Sequence, residues 1–270
     1  MRLDRAWTLA VKDMHETFST AQLVMPLVIV PIVVVIGYPT VFLLALRFTP
    51  GAVGGLQGFI DGFAASAVPN IAGLTSAGRA AYIAIVYLFA GFFLLVPVMV
   101  STVIAANSFA GEKERRTLEG LLYTPVSDSE LVTGKIAAAF IPTVIFTWAC
   151  FAAYVAVVAL LGIPVVGQWF FPTANWWALM LLLVPAVSLL VISIVVLVSA
   201  KARGFQEANA IGGSVILPVI GLVAAQASGL MVLSAGLVAA AALLFAVADV
   251  ALLYVIVRGF RRSRIVSYLP

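Results

Sequence analysis

The chain has 270 residues, of which 64% are hydrophobic and only 10% are charged. A soluble domain carries about 25% charged residues, so the composition excludes an ordinary soluble fold and predicts an all-α polytopic protein of the bilayer. The net charge of +4 does not indicate nucleic-acid binding, because the basic residues are not interleaved with aromatic ones on one face. One cysteine and one histidine exclude disulfide frameworks and H-E-x-x-H zinc sites within the chain.

Residues 1–20 show the pattern of a helix that lies flat on a membrane. Apolar residues recur there at intervals of three and four, namely Leu3, Trp7, Ala10, Val11, Met14 and Phe18. Charged residues occupy the other positions, so the segment is predicted to be an amphipathic interfacial helix. A simple anchor and an elbow that docks on a cytoplasmic partner or a neighbouring span both remain open.

Six segments are long and apolar enough to cross a hydrocarbon core of about 30 Å as helices. Their predicted bounds are about 22–46, 80–106, 135–161, 176–199, 209–225 and 231–257. Only five residues, 226–230, separate the last two, so a tight hairpin and a re-entrant piece both stay open. The chain is predicted to be one transmembrane domain with a basic tail at 258–270.

The lysines and arginines predict the orientation of these spans. Of the 15 in the chain, all fall on the side of the two termini except Arg47 and Arg79. Positive residues concentrate in cytoplasmic loops. Both termini are therefore expected to be cytoplasmic. Five aromatic residues at the other side are expected to form a belt at headgroup depth, namely Trp169, Phe170, Phe171, Trp176 and Trp177.

Segment 111–135, which reads GEKERRTLEGLLYTPVSDSELVTGK, concentrates the charge of the chain between spans two and three. Acidic residues open it, where they suit the N-terminus of a helix, and Leu118, Leu121 and Leu122 follow at helical spacing. Pro125 ends this helix, and Ser127 with Glu130 form a capping box that opens span three. The pattern predicts a short ordered helix that suits docking on a soluble partner. A solvated hairpin is the alternative interpretation.

The same segment resembles the signature loop of ABC-2-type transporter permeases. Matching positions are Glu112, Lys113, Glu114, Arg115, Thr117, Leu118, Glu119, Leu121, Leu122, Pro125, Ser127, Glu130, Leu131, Gly134 and Lys135. Arg116 stands where the family often has glycine. A weaker resemblance covers 199–218, through Lys201, Arg203, Gln206, Glu207, Ala208 and Pro218.

This resemblance implies a non-enzymatic permease subunit of an exporter, working as a homodimer or as a heterodimer with a similar chain. Two separate ATPase subunits would bind ATP and Mg, with no cofactor or metal on this chain, and a G-x-x-x-x-G-K-[ST] phosphate loop is indeed missing from the sequence. The segment would be the coupling helix that contacts the ATPase. The contact residues would be Glu112, Lys113, Glu114, Arg115, Arg116, Thr117, Leu118, Glu119 and Leu122, with a possible second contact at Lys201, Arg203 and Glu207.

Asp249 is the one charged residue well inside a predicted span. A charge at the bilayer centre costs about 3 kcal/mol on insertion scales. It is interpreted either as a structural carboxyl that bonds a neighbouring span or as a cation or proton site. The second interpretation would favour an ion-coupled secondary transporter, and a membrane scaffold without transport is a further alternative.

Overall fold

The structure is a computed structural model, and it describes residues 11, 21–49, 54, 73–111, 114, 128–199, 202, 204–228 and 232–259. Within those ranges the chain is helical, with short turns and no strand. The predicted interfacial helix, apart from Val11, and the predicted coupling helix, apart from Glu114, lie outside the described residues.

Six helices in the described part of the chain are long and apolar enough to cross a membrane, which confirms the predicted fold class. We number them spans one to six. They are Leu27–Phe48, Ser76–Gly111, Glu130–Val166, Ala174–Ser199, Phe205–Gln226 and Ala235–Ile256. Spans two and three, with 36 and 37 residues, reach about 54 Å at 1.5 Å per residue, so they tilt or extend beyond the hydrocarbon core.

The α-helical stretches within these spans are interrupted by short π-helical segments. The α-helical stretches are Ala21–Ile32, Tyr38–Phe48, Ser76–Ile83, Phe89–Phe93, Leu95–Ala106, Asp128–Val157, Ile163–Val166, Ala174–Ala178, Val184–Ser199, Phe205–Gly213, Ile216–Ala227 and Ala235–Gly259. The π segments are Val33–Gly37, Ala84–Leu88, Asn107–Gly111, Val158–Gly162 and Leu179–Leu183.

Spans two and four form the centre of the bundle. Span two is the most buried of the six and span six the least. Span four packs against spans two, three, five and six, and span one packs against spans two and three. A bundle of this kind leaves the outer faces of spans one, five and six for lipid or for another subunit.

Three of the π segments have a local cause in proline. Pro39, Pro164 and Pro185 each stand two residues after a π segment, in spans one, three and four respectively. Proline has no N–H, and its ring clashes with the carbonyl four residues earlier. That carbonyl belongs to the central residue of the π segment in all three cases, so the wider turn relieves the clash.

The helix of span three begins at Asp128, where the capping box predicted it and seven residues before the predicted membrane segment at 135. Lys135, which the sequence assigned to the edge of the membrane loop, is therefore two turns inside the helix and is 1% exposed. The capping box and the positive-inside pattern account for this region as a helix start, but they do not indicate a buried lysine.

Candidate functional site at the charged end

The charged end of the bundle is where span two stops at Gly111, span three begins, span four stops at Ser199 and span five begins at Phe205. Both segments that the sequence marked, 111–135 and 199–218, meet here. The first turn of span five packs against the last turns of span two. The structure thus brings two sequence-distant segments into one site.

Lys135 ties span three to span two at this end. Its Nζ donates a hydrogen bond of 2.7 Å to the backbone carbonyl of Ser108, and the hydroxyl of the same serine lies 3.4 Å away. The ammonium also lies 5.5 Å from the centre of the Phe109 ring, within the range of a cation–π interaction. Hydrogen bonds that involve a charged group contribute about 1.5–3 kcal/mol.

The carbonyl that Lys135 bonds belongs to a π segment that is not followed by a proline. Ser108 belongs to Asn107–Gly111, and the position two residues after that segment is Lys113. The irregular turn presents its carbonyl to the lysine of another span. A side chain that bonds into the backbone ladder is a recognised cause of such irregularity.

Glu114 ties the segment after span two to span five. Its Oε2 accepts a hydrogen bond of 3.0 Å from the backbone N–H of Phe205, the first residue of span five. Gly204, the residue before this helix, has no side chain that could cap it. The cap is instead a carboxylate from 91 positions away in sequence, and its negative charge suits the N-terminal end of the helix dipole.

The predicted contact residues fall into two groups. Glu114 and Glu207 are described and exposed, the latter in the first turn of span five. The others lie outside the described residues, namely Glu112, Lys113, Arg115, Arg116, Thr117, Leu118, Glu119, Leu122, Lys201 and Arg203. Sequence reasoning missed the roles of Ser108, Phe109 and Gly204. A glycine directly before a helix was the one available signal.

The opposite end of span two carries a second site of contact between spans, which we call the carbonyl cluster. It consists of the backbone carbonyls of Ile85, Val86 and Tyr87, the central residues of the π segment Ala84–Leu88. Tyr154 Oη donates to the carbonyl of Ile85, and Gln226 Nε2 donates to that of Tyr87. Asn175 Nδ2 and Trp176 Nε1 both donate to the carbonyl of Val86. All four bonds are 3.0 Å long. Spans three, four and five therefore all bond to one turn of span two.

Aromatic rings surround the carbonyl cluster. The Trp176 ring lies 4.8 Å from the ring centre of Tyr154, and Phe93 and Phe171 contact it edge-on at 5.3 and 5.0 Å. Trp176 is fully buried. The predicted aromatic belt is thus wrong for Trp176 and for the buried Phe171, because their rings fill the core. Trp169, at 64% exposure, does lie on the surface.

Asp249 is buried on span six, with 3% of its surface exposed. Neither carboxylate oxygen has a hydrogen-bond partner in the part of the chain that the structure describes. Span six packs along span four, whose buried Ser193 hydroxyl also lacks a partner there. The interpretation as a hydrogen-bonded structural carboxyl therefore finds no described partner. The described residues also contain no cluster of three or more side chains suited to a metal ion.

A family comparison agrees with this architecture. The model of the ABC-2 family transporter proteins matches residues 7–254, nearly the whole chain. The chain belongs to that family and is a multi-pass membrane permease of the ABC transporter class. No curated protein matches the chain.

Proposed function

We propose that this chain is the membrane-spanning subunit of an ATP-driven exporter and that its charged end receives the force of a separate ATPase. The observation that carries the proposal is the convergence at that end. Spans two, three and five are joined there by Lys135 and Glu114, which stand near the two ends of the segment that matches the permease signature. A push on that segment would act on three spans together.

The proposed complex contains two copies of a permease chain, identical or closely similar, and two ATPase subunits that bind ATP and Mg. The charged end, both termini and the basic tail would face the cytoplasm, as the distribution of lysine and arginine favours. A purified complex that holds a single permease chain with two ATPase subunits would contradict this stoichiometry.

The test uses Leu122, which the sequence places on the apolar stripe of the coupling helix. Leu122→Asp is expected to abolish copurification of the ATPase in mild detergent, because a carboxylate would then have to be buried against the partner. Leu122→Met, which conserves the volume and the apolar character of the side chain, is the matched control and should retain the ATPase. Equal recovery of the ATPase with both variants would overturn the docking site.

A charge exchange separates docking from coupling. Glu119→Arg combined with Arg115→Glu keeps the net charge and is expected to leave the membrane domain folded. Removing one member of a desolvated charged pair costs about 2–5 kcal/mol. The exchange should therefore uncouple ATP hydrolysis from transport, as measured by ATPase copurification and by transport in proteoliposomes. An exchanged chain that binds the ATPase and transports like wild type would contradict the coupling role.

A further inference from the structure

The cap on span five has an unusual origin. Most helices are capped by a residue at their own N-terminus, whereas Phe205 receives its acceptor from Glu114 on a different segment. Gly204 has extended backbone angles, which any residue adopts, so the glycine is not required by strain. Its distinguishing property is the lack of a Cβ.

The space at Gly204 is occupied by the carboxylate. A Cβ built on this residue would lie 2.6 Å from Oε2 of Glu114 and 3.0 Å from Cδ. Real Cβ atoms are not found at the first of these distances from another heavy atom. The contact between the two segments therefore needs both a carboxylate at position 114 and the absence of a side chain at position 204.

Glu114 lies inside the segment that matches the permease signature, three residues after the end of span two at Gly111. The hydrogen bond to Phe205 joins this segment to span five. A displacement of that segment would thus reach the first turn of span five through this carboxylate.

We propose that Glu114 is a positioning residue that transmits movement of the 112–127 segment to span five. This proposal rests on the proposed function, since it needs an ATPase that moves the segment. It adds a specific route, in which span five responds through the hydrogen bond of Glu114, while spans two and three respond through their covalent continuity with the segment.

The experiment measures backbone hydrogen exchange in the full complex, in detergent, without nucleotide and with ATP, Mg and vanadate. Wild type is expected to show a nucleotide-dependent change at 205–208 and another at 107–111. In Glu114→Ala the change at 205–208 should disappear while that at 107–111 persists. Without nucleotide, exchange of the Phe205 amide should rise roughly 2- to 30-fold, the range for loss of a helix cap.

Two glycine variants provide a second way to break the contact between Glu114 and span five, and a matched control. Gly204→Ala should reproduce the Glu114→Ala result, because its methyl group displaces the flexible carboxylate without changing any charge. Gly213→Ala lies on the same helix, and its Cβ would meet nothing within 4 Å, so its response should equal that of wild type. The double variant Gly204→Ala with Glu114→Ala should behave like either single variant.

The outcomes separate this proposal from the one on which it rests. The proposed function itself would be contradicted if no ATPase copurified with the wild-type chain. It would also be contradicted if hydrogen exchange at 107–111 in wild type did not change with nucleotide. A cap with a purely structural role would raise exchange without nucleotide and leave the nucleotide-dependent change at 205–208 intact. That result, or an additive double variant, would overturn the role of Glu114.

Discussion

The two π segments of span two are held in opposite ways. At the carbonyl cluster, four neutral side chains from three spans bond to consecutive carbonyls, and their donors are buried among aromatic rings. At the charged end, a lysine bonds the carbonyl of Ser108, and an exposed carboxylate caps span five. The first site is redundant and buried, and the second depends on charge.

This difference teaches how one helix serves two purposes. Neutral bonds in a packed interior do not respond to salt, whereas an exposed charged contact is screened within about 10 Å at 0.1 M ionic strength. The carbonyl cluster therefore suits a fixed point of the bundle. The charged end suits contacts that are exchanged when a partner docks. The first two predictions below each test one side of the comparison, and the third tests a buried charge outside both.

The largest effect is expected from Trp176→Ala at the carbonyl cluster. The variant removes a fully buried ring and one of the two donors to Val86, so the free energy of unfolding should fall by about 3–5 kcal/mol. Trp176→Phe keeps most of the ring, and Asn175 still bonds that carbonyl, so the loss should be about 1 kcal/mol. Thermal unfolding in detergent measures both, and Trp169→Ala, at an exposed position, is the control. Equal melting temperatures of Trp176→Ala and Trp169→Ala would show that the carbonyl cluster is not a fixed point of the bundle.

A smaller and local effect is expected from Lys135→Met. Loss of the bond from the ammonium to Ser108 should destabilise the last turn of span two by about 1.5–3 kcal/mol. Hydrogen exchange of residues 107–111 should increase roughly tenfold to a hundredfold, the ratio that corresponds to this free energy. Residues 84–88 serve as the internal control and should not change. Faster exchange at both π segments would show that the two ends are not independent.

The smallest effect, a gain rather than a loss of stability, is expected at Asp249. Neither oxygen of this buried carboxyl bonds to a described residue, so Asp249→Leu should raise the free energy of unfolding by about 1 kcal/mol. Asp249→Asn, which leaves an equally unpartnered polar group, should change it little. A destabilised leucine variant would restore the interpretation as a hydrogen-bonded structural carboxyl.

The sequence predicted the spans because each is a long apolar run, a property of composition rather than of contacts. It also contained the cause of three π segments, since the prolines at 39, 164 and 185 act on their own helices. The two π segments of span two were not predictable in this way. They follow from side chains such as Tyr154 and Lys135, which are distant in sequence and meet the helix only in the folded bundle.

The same limit applies to the charged end. The signature residues between spans two and three indicated a contact site, but the capping of Phe205 by Glu114 joins positions 91 apart. Nothing in local periodicity marks such a pair. Asp249 was recognisable as an unusual residue, whereas its lack of a described partner depends on the packing of span six.

The prolines have one more consequence, for the surfaces that the spans present. A π segment holds about one residue more than an α-helix over the same turns, so the helix beyond it is rotated by roughly 100° relative to an uninterrupted helix. The buried face of span four thus changes its phase at Leu179–Leu183. A helical wheel that starts at Ala174 and runs through the whole span assigns the residues after Leu183 to the wrong face. In designing variants of these spans, the faces must be assigned separately on each side of the π segment.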